Sequence, residues 1–428
     1  MSRISQDATV AVLGTMDTKG AEHAYVCDVI AKHGVRTLVI DTGILGSPRD
    51  IHVDISSADV ARAAGTNLAA IRAIGSRGPA VETMQRGLTR ILRELYDEGR
   101  IQGAVALGGA EGTVLGTQAM QVLPLGFPKL MVSAVASGAR TFGTYMGASD
   151  LSIMHSVVDC AGLNYISREV FANAAAGIAG MARDYLDRQK SPRGVGAVAG
   201  VSMLGNTQAA FDHLAPRLAE IGLEPVPFHA NGVGGMALDS LAGEGGARVV
   251  IDMTLNEVSN WLVGGVTAAP ATRMRAAGSA GVPQVVVPGC VDFFTFGAIE
   301  TVPTKYLDRP LYRHNPHFTL VRATGEEMEA FGCEVAQRLN SSTGPVTVVW
   351  PSRGLSIENR PGGSFWDPEA DRRFLESLMT HLTVPVRLVE VDAHINDEET
   401  AEAVVTAVIE LLPDLAQNLD RRVPTTRV

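Results

Sequence analysis

Short apolar runs that each empty into a small-residue turn and then a helical pattern recur along this chain, and few folds tolerate that alternation. Gly103–Leu107 is one such run. It leads into Gly108-Gly109, then Glu111-Gly112-Thr113, then a helical pattern through Met120. Thr9–Leu13 is another, followed by Gly14-Thr15-Met16-Asp17-Thr18-Lys19-Gly20 and an amphipathic stretch to His33. Val35–Ile40 comes next and ends in Asp41-Thr42-Gly43. Strand, helix and strand at this spacing form a right-handed crossover, and such units build open parallel sheets.

Open parallel sheets bind ligands beyond the carboxyl ends of their strands. Thr15, Asp17, Thr18, Lys19, Asp41 and Thr42 are therefore expected to share a rim with Gly108, Gly109, Glu111, Gly112 and Thr113. Glycines let the backbone approach a ligand, and free N–H groups at a helix start attract an anion. Thr113 has the chemistry of an N-cap or a phosphate contact, and Lys19 that of a phosphate counter-charge. A tight turn holding nothing would read the same, because the loop lacks the Walker lysine and the GxGxxG spacing. Asp41 reads equally well as a turn residue. Pro128–Val132 is a further strand, and its small-residue end adds Ser133, Ser137 and Gly138 to the candidates. His155 and Asp159 stand four residues apart and would share a face if that stretch is helical. Ile51–Arg100 does not alternate and reads as two or three helices inserted over the end of the sheet.

Asp187–Gly194 is polar and broken by Pro192, so the expected domains are 1–190, with the helical insertion 51–100, and 191–428. Beyond it the alternation resumes through Val195–Val201, Glu224–Phe228, Val249–Ile251, Gln284–Val287, Val346–Trp350 and Val386–Val391. Ser202, His229, Asp252, Asp292, Arg353 and His394 each sit just past an apolar run, and Glu257 lies one turn into a helix. On one sheet edge these side chains are expected to converge and to offer acid–base groups or an anchor for a polar ligand. His314, in a polar loop between Tyr306 and Ala323, is expected to close over the same cleft. No HxH or HxxxH spacing points to a metal. The expected fold is thus α/β: two Rossmann-like lobes, each an open, mostly parallel sheet flanked by helices, with a cleft between them.

Composition narrows the function. The 428 residues are 46% hydrophobic, enough for more than one core. A net charge of −10 argues against a nucleic-acid surface. No segment is long and apolar enough to suggest a membrane span. Cys27, Cys160, Cys290 and Cys333 have no paired spacing and read as reduced thiols; with no apolar leader in Met1–Thr9, the expected location is the cytoplasm.

The ordered motifs resemble a family across nearly the whole chain. They are GTMDTKG from Gly14, ALGGAEGT from Ala106, MVSAVASG from Met131, SVVDCAGLN from Ser156, FHANGVGG from Phe228, IDMTLNEVSNWLVGGV from Ile251, HNPHFTLVRAT from His314, FWDPEAD from Phe365 and HIND from His394. This pattern is similar to that of the Tm-one-like ATP-binding family, typified by the N-terminal region of the tomato tobamovirus-resistance protein. The resemblance implies a two-lobed α/β fold, ATP with magnesium as the ligand, and a homodimer or higher homo-oligomer. The nucleotide would lie on the first lobe. His229, Asp252, Glu257, Asp292, His314 and His394 would then face a small acidic metabolite. Two readings remain open beside that enzyme: a nucleotide-binding module without turnover, and a metal-dependent hydrolase or lyase.

Overall fold

The computed structural model describes residues 7–136, 143–190 and 196–415. The chain folds as two compact units, Met1–Arg193 and Gly194–Val428.

In the first unit, five parallel strands stand in the order β2-β1-β3-β4-β5. They are β1 (Thr9–Gly14), β2 (Arg36–Asp41), β3 (Gly103–Gly108), β4 (Lys129–Ser133) and β5 (Ser152–His155). The helices are α1 (Met16–Lys32), α2 (Ser57–Ala63), α3 (Leu68–Ala73), α4 (Arg77–Asp97), α5 (Ala110–Met120), α6 (Gly143–Met146) and α7 (Tyr165–Lys190). Both sheet faces are buried, so the strands show no apolar–polar alternation. Ala11 and Leu13 pack with Leu88 and Leu92 of α4 and Leu115 of α5. The alternate residues Val10 and Val12 pack with Val26 of α1 and Ile178 of α7. The alanines of α7 allow a close approach: a Cβ on Gly103 would meet that of Ala182 at 3.3 Å.

Two expectations change here. The α2–α4 insertion covers a face of the sheet, because α4 contributes Met84, Leu88, Ile91 and Leu92 to the core rather than hanging over the strand ends. His155 ends strand β5 and Asp159 lies in the irregular segment after it, so their spacing is not helical. Val157, at φ 65°, marks the turn between them.

The second unit repeats the architecture. Its strands β6 (Ala197–Met203), β7 (Leu223–His229), β8 (Val249–Asp252) and β9 (Gln284–Val286) precede an inserted antiparallel sheet of β10 (Phe293–Phe296), β11 (Leu311–Asn315) and β12 (Phe318–Arg322). Strands β13 (Val346–Pro351) and β14 (Val386–Val391) then complete a six-stranded parallel sheet, ordered β14-β13-β9-β8-β6-β7. Its helices are α8 (Gln208–Glu220), α9 (Val233–Gly243), α10 (Asn256–Val263), α11 (Arg275–Ser279), α12 (Gly325–Leu339), α13 (Pro368–His381) and α14 (Glu398–Leu411). The segment expected as a covering loop is the β11–β12 hairpin. It pairs with β10 through β12, with Phe294 opposite Val321. Asp367 caps α13 by accepting from Ala370 N–H at 3.0 Å, with Pro368 at the first helical position, where its missing N–H costs nothing.

Gly14 is required by a neighbour rather than by its own φ. A Cβ there would stand 2.1 Å from the ring of His23, which is fully buried. Gly14→Ala is therefore expected to destabilise the fold by about 1–3 kcal/mol, the usual cost of overpacking. Denaturant unfolding measures it; an unchanged midpoint would show that His23 can move aside.

Candidate functional site

The two sheets turn around at equivalent places. In the first unit the order reverses between β1 and β3, and α1 and α5 pack on opposite faces, which makes this the switch point of the sheet.

On the β1 side, Thr15 is half-buried and Thr18 exposed, and their hydroxyls are 2.9 Å apart. Helix α1 breaks at Lys19 (φ −130°, ψ 27°), which is half-buried. His23 sits beneath the break, with Nδ1 2.7 Å from the Lys19 carbonyl and Nε2 3.1 Å from that of Leu13. Burial, opposed by these two carbonyl contacts, lowers its pKa. Asp41 is a structural acceptor as well as a rim residue: its Oδ1 takes the N–H groups of Met16 at 2.9 Å and Gly43 at 2.8 Å. Burial raises its carboxyl above the ordinary range. Oδ2 of Asp17 takes the N–H groups of Leu45 at 2.9 Å and Gly46 at 3.0 Å. Thr42 is buried, with its N–H on the Gly14 carbonyl at 2.8 Å.

On the β3 side, a Cβ on Gly108 would lie 2.8 Å from the Gly112 Cα, so the turn closes tightly. At Gly109 a Cβ would meet nothing within 4 Å. Gly109 is the N-cap of α5 and has no side chain with which to cap it. The N–H groups of Ala110, Glu111 and Gly112 have no acceptor among the described residues. Glu111 is paired with Arg77, which offsets its negative charge beside them. Thr113 is neither the N-cap nor a rim hydroxyl. It lies in the first turn of α5, fully buried, and its Oγ1 is 2.7 Å from the Ser133 hydroxyl, linking α5 to the end of β4. Ser137 and Gly138 lie outside the described residues.

In the second unit a glycine turn at the end of edge strand β7 is already filled. The glycine turn before α9 points its N–H groups at Glu257, whose Oε1 accepts from Gly232 at 2.7 Å and Gly235 at 3.0 Å. Oε2 of Glu257 receives Nε of Arg273 at 2.8 Å. The Arg273 guanidinium is fully buried and also bonds Asp252 at the end of β8 and, at 3.4 Å, Asp239 on α9. Burial opposes the charge of Arg273, but the three carboxylates hold its pKa well above its ordinary value. Burial, helped by Asp252 and Glu257 and opposed by Arg273, pushes the Asp239 carboxyl up to about 7. A Cβ on Gly235 would fall 1.9 Å from Oε2 of Glu257, so only glycine fits.

A second network closes the ends of β9 and β13. Oδ2 of buried Asp292 accepts from Ser356 Oγ at 2.8 Å. Arg322 donates to the Asp292 carbonyl at 2.8 Å and to Asp371 at 2.6 Å, and Asn359 donates to Asp371 at 2.7 Å. His394 Nε2 donates to the Ser356 carbonyl at 2.8 Å, so Nδ1 accepts the Asn396 N–H at 3.1 Å. Ser202 Oγ is 3.2 Å from both the N–H and the carbonyl oxygen of Thr254.

The expected convergence is only partial. Asp252 and Glu257 meet through Arg273, and Asp292 and His394 meet through Ser356. His229 is exposed at the end of β7, and β7 and β14 are opposite edges of the sheet. The segment after β14 returns across the sheet end, where Asn396 donates to the Asn206 carbonyl at 2.9 Å and accepts the Ala210 N–H at 3.1 Å, but among the described residues no hydrogen bond joins His229 to His394. His314 is exposed on edge strand β11. The sequence reading missed His23, Arg273, Arg322 and Asp371. A cavity of about 550 Å³, lined by Asp54, Arg62, Arg90 and Glu94 among others, lies against α2 and α4 and includes none of the turn residues. Among the described residues, no group of three or more His, Cys, Asp and Glu is placed to hold a metal, and no helix is long and apolar enough to cross a membrane.

Comparison with known proteins accords with this two-part build. The models of uncharacterised protein family UPF0261 match in order, the N-terminal domain over residues 8–187 and the C-terminal domain over 197–412. A UPF0261 protein of Clostridium tetani is 36% identical over 404 residues, covering 94% of this chain and 98% of that one. A UPF0261 protein of Rhizobium meliloti is 38% identical over 400 residues, covering 93% and 98%. The ToMV resistance protein Tm-1(GCR237) of tomato, Solanum lycopersicum, is 36% identical over 341 residues. That match covers 79% of this chain but 45% of the tomato protein. Among solved structures, a putative UDP-N-acetylglucosamine 2-epimerase from Listeria monocytogenes aligns over 65% of this chain and 79% of its own, at 12% identity and TM-score 0.23. That score is too low for any inference.

Removing Arg273 would strand buried carboxylates, so Arg273→Met is expected to cost about 3–5 kcal/mol in denaturant unfolding. The raised Asp239 carboxyl binds its proton more tightly folded than unfolded. Its contribution to stability is complete below the unfolded value near 4 and is lost as pH rises through about 7. Asp239→Asn should flatten that part of a pH–stability curve; an unchanged slope between pH 4 and 7 would contradict the assignment.

Proposed function

The chain belongs to the UPF0261 family, and from that premise we propose that it binds a nucleotide, ATP with magnesium, on the glycine turns of its first unit. One observation carries this reading. The N–H groups of Ala110, Glu111 and Gly112 point from an uncapped helix at a sheet's switch point, and nothing in the described chain accepts from them. The glycine turn that follows edge strand β7 in the second unit has its acceptor in Glu257. At that turn the protein supplies the carboxylate itself. A phosphate is the natural acceptor for the turn left open, since N–H groups and the helix dipole act together on it. Lys19, across the switch point on α1, is the counter-charge, and Thr15 and Thr18 offer hydroxyls on the same rim.

Binding without turnover is favoured over acid–base catalysis on the second sheet. Asp252, Glu257, Asp292 and His394 bond within networks that hold strand ends together, with one oxygen each of Asp252 and Asp292 left without a partner. His229 and His314 are exposed.

Gly109 makes the test clean, because its Cβ position is open and its φ of −76° suits any residue. Calorimetry should show ATP–magnesium binding to the native chain. Gly109→Trp should weaken it roughly tenfold or more, about 1.4 kcal/mol, with the melting temperature unchanged. Absence of heat with the native chain, or equal affinity in the variant, would refute the proposal.

A further inference from the structure

Two aspartates on the first unit's rim each use one oxygen and leave the other free. Oδ2 of Asp17 and Oδ1 of Asp41 take backbone N–H groups, two apiece. Oδ1 of Asp17 and Oδ2 of Asp41 are buried and have no hydrogen-bond partner. The Thr42 hydroxyl, at the same strand end, is likewise buried and without a partner. Asp17 is 5%, Asp41 0% and Thr42 3% exposed. The two carboxylates meet at Gly43: Asp41 holds its N–H, and Oδ1 of Asp17 lies 2.6 Å from where its Cβ would be. Burying two neighbouring carboxylates with unsatisfied oxygens is costly unless a positive partner joins them.

We propose that Asp17 and Asp41, with the Thr42 hydroxyl, bind a divalent cation of the magnesium or manganese type. Hard oxygen ligands select such ions, and magnesium is commonly held by one or two carboxylates while keeping several waters. The protein's share here is of that size, two carboxylates and a hydroxyl, rather than a closed cage. The backbone N–H bonds hold both carboxylates in place. A Cβ on Gly43 would stand 2.5 Å from the Asp17 carboxyl carbon, so glycine is what lets that carboxylate lie against the backbone here. The site deepens the nucleotide reading by giving the cation its own protein ligands beside the phosphate turn, yet it does not require nucleotide to be bound.

The test uses the full chain without nucleotide and manganese(II) as the probe. Calorimetry, with free manganese counted by electron paramagnetic resonance, should show one ion per chain. Asp17→Asn and Asp41→Asn should each weaken it at least tenfold. Asparagine keeps the oxygen that accepts the backbone N–H groups, so the fold is expected to persist. Should either variant fail to fold, the native protein still decides: manganese should broaden the amide resonances of Gly43, Leu45 and Gly46 first. No manganese binding by the native chain, undiminished binding in both variants, or broadening confined to other residues would each overturn the site. Gly109→Trp should lose ATP and keep manganese. Manganese binding without ATP binding would sink only the nucleotide reading, and ATP binding without manganese binding only the cation site.

Discussion

A helix that begins in a glycine turn leaves N–H groups that something must accept, and the source of that acceptor separates the two halves of this molecule. Both units place such a turn at a strand end of a parallel sheet. In the second, Glu257 reaches the N–H groups of Gly232 and Gly235 and is itself held by Arg273, so the turn is complete without a ligand. In the first, Gly109 offers no side chain, and the first-turn N–H groups of α5 stay open at a rim that is partly exposed.

Much else in the second unit serves the same closure. Arg273 and Arg322 are buried among carboxylates, and each ties together segments far apart in sequence. Removing one partner from such a pair leaves a charge in a poorly solvating interior, so these networks hold the strand ends in one arrangement. Glycines at Gly235 and Gly354 are part of that arrangement. A Cβ on Gly354 would meet the Asn359 carbonyl oxygen at 1.7 Å and the His394 ring at 2.8 Å. Ser202, Asp252 and Asp292 thus lie sealed at the ends of their strands, while His229 and Arg353 stay exposed.

The parallel sheets could be read from sequence because their strands are short apolar runs bounded by glycine and polar turns, and because the crossovers leave few alternatives. The antiparallel insertion could not. Its edge strand β11 reads Leu-Tyr-Arg-His-Asn, largely polar and exposed, and takes its strand character from pairing with β12 rather than from its own composition. Thr113 looked like a cap because it follows glycines, but the helix starts three residues earlier and carries it inward to Ser133. Arg273 and Arg322 were invisible for a different reason. Nothing local distinguishes an arginine in solvent from one that three-dimensional folding surrounds with carboxylates.

Amide chemical-shift mapping during an ATP–magnesium titration tests the open-turn idea most directly, since it reads the N–H groups themselves. The largest early shifts should fall on Ala110, Glu111 and Gly112, while Gly232 and Gly235, already bonded to Glu257, stay still. Shifts centred on Gly232 and Gly235, or none at α5 at saturating nucleotide, would contradict the account.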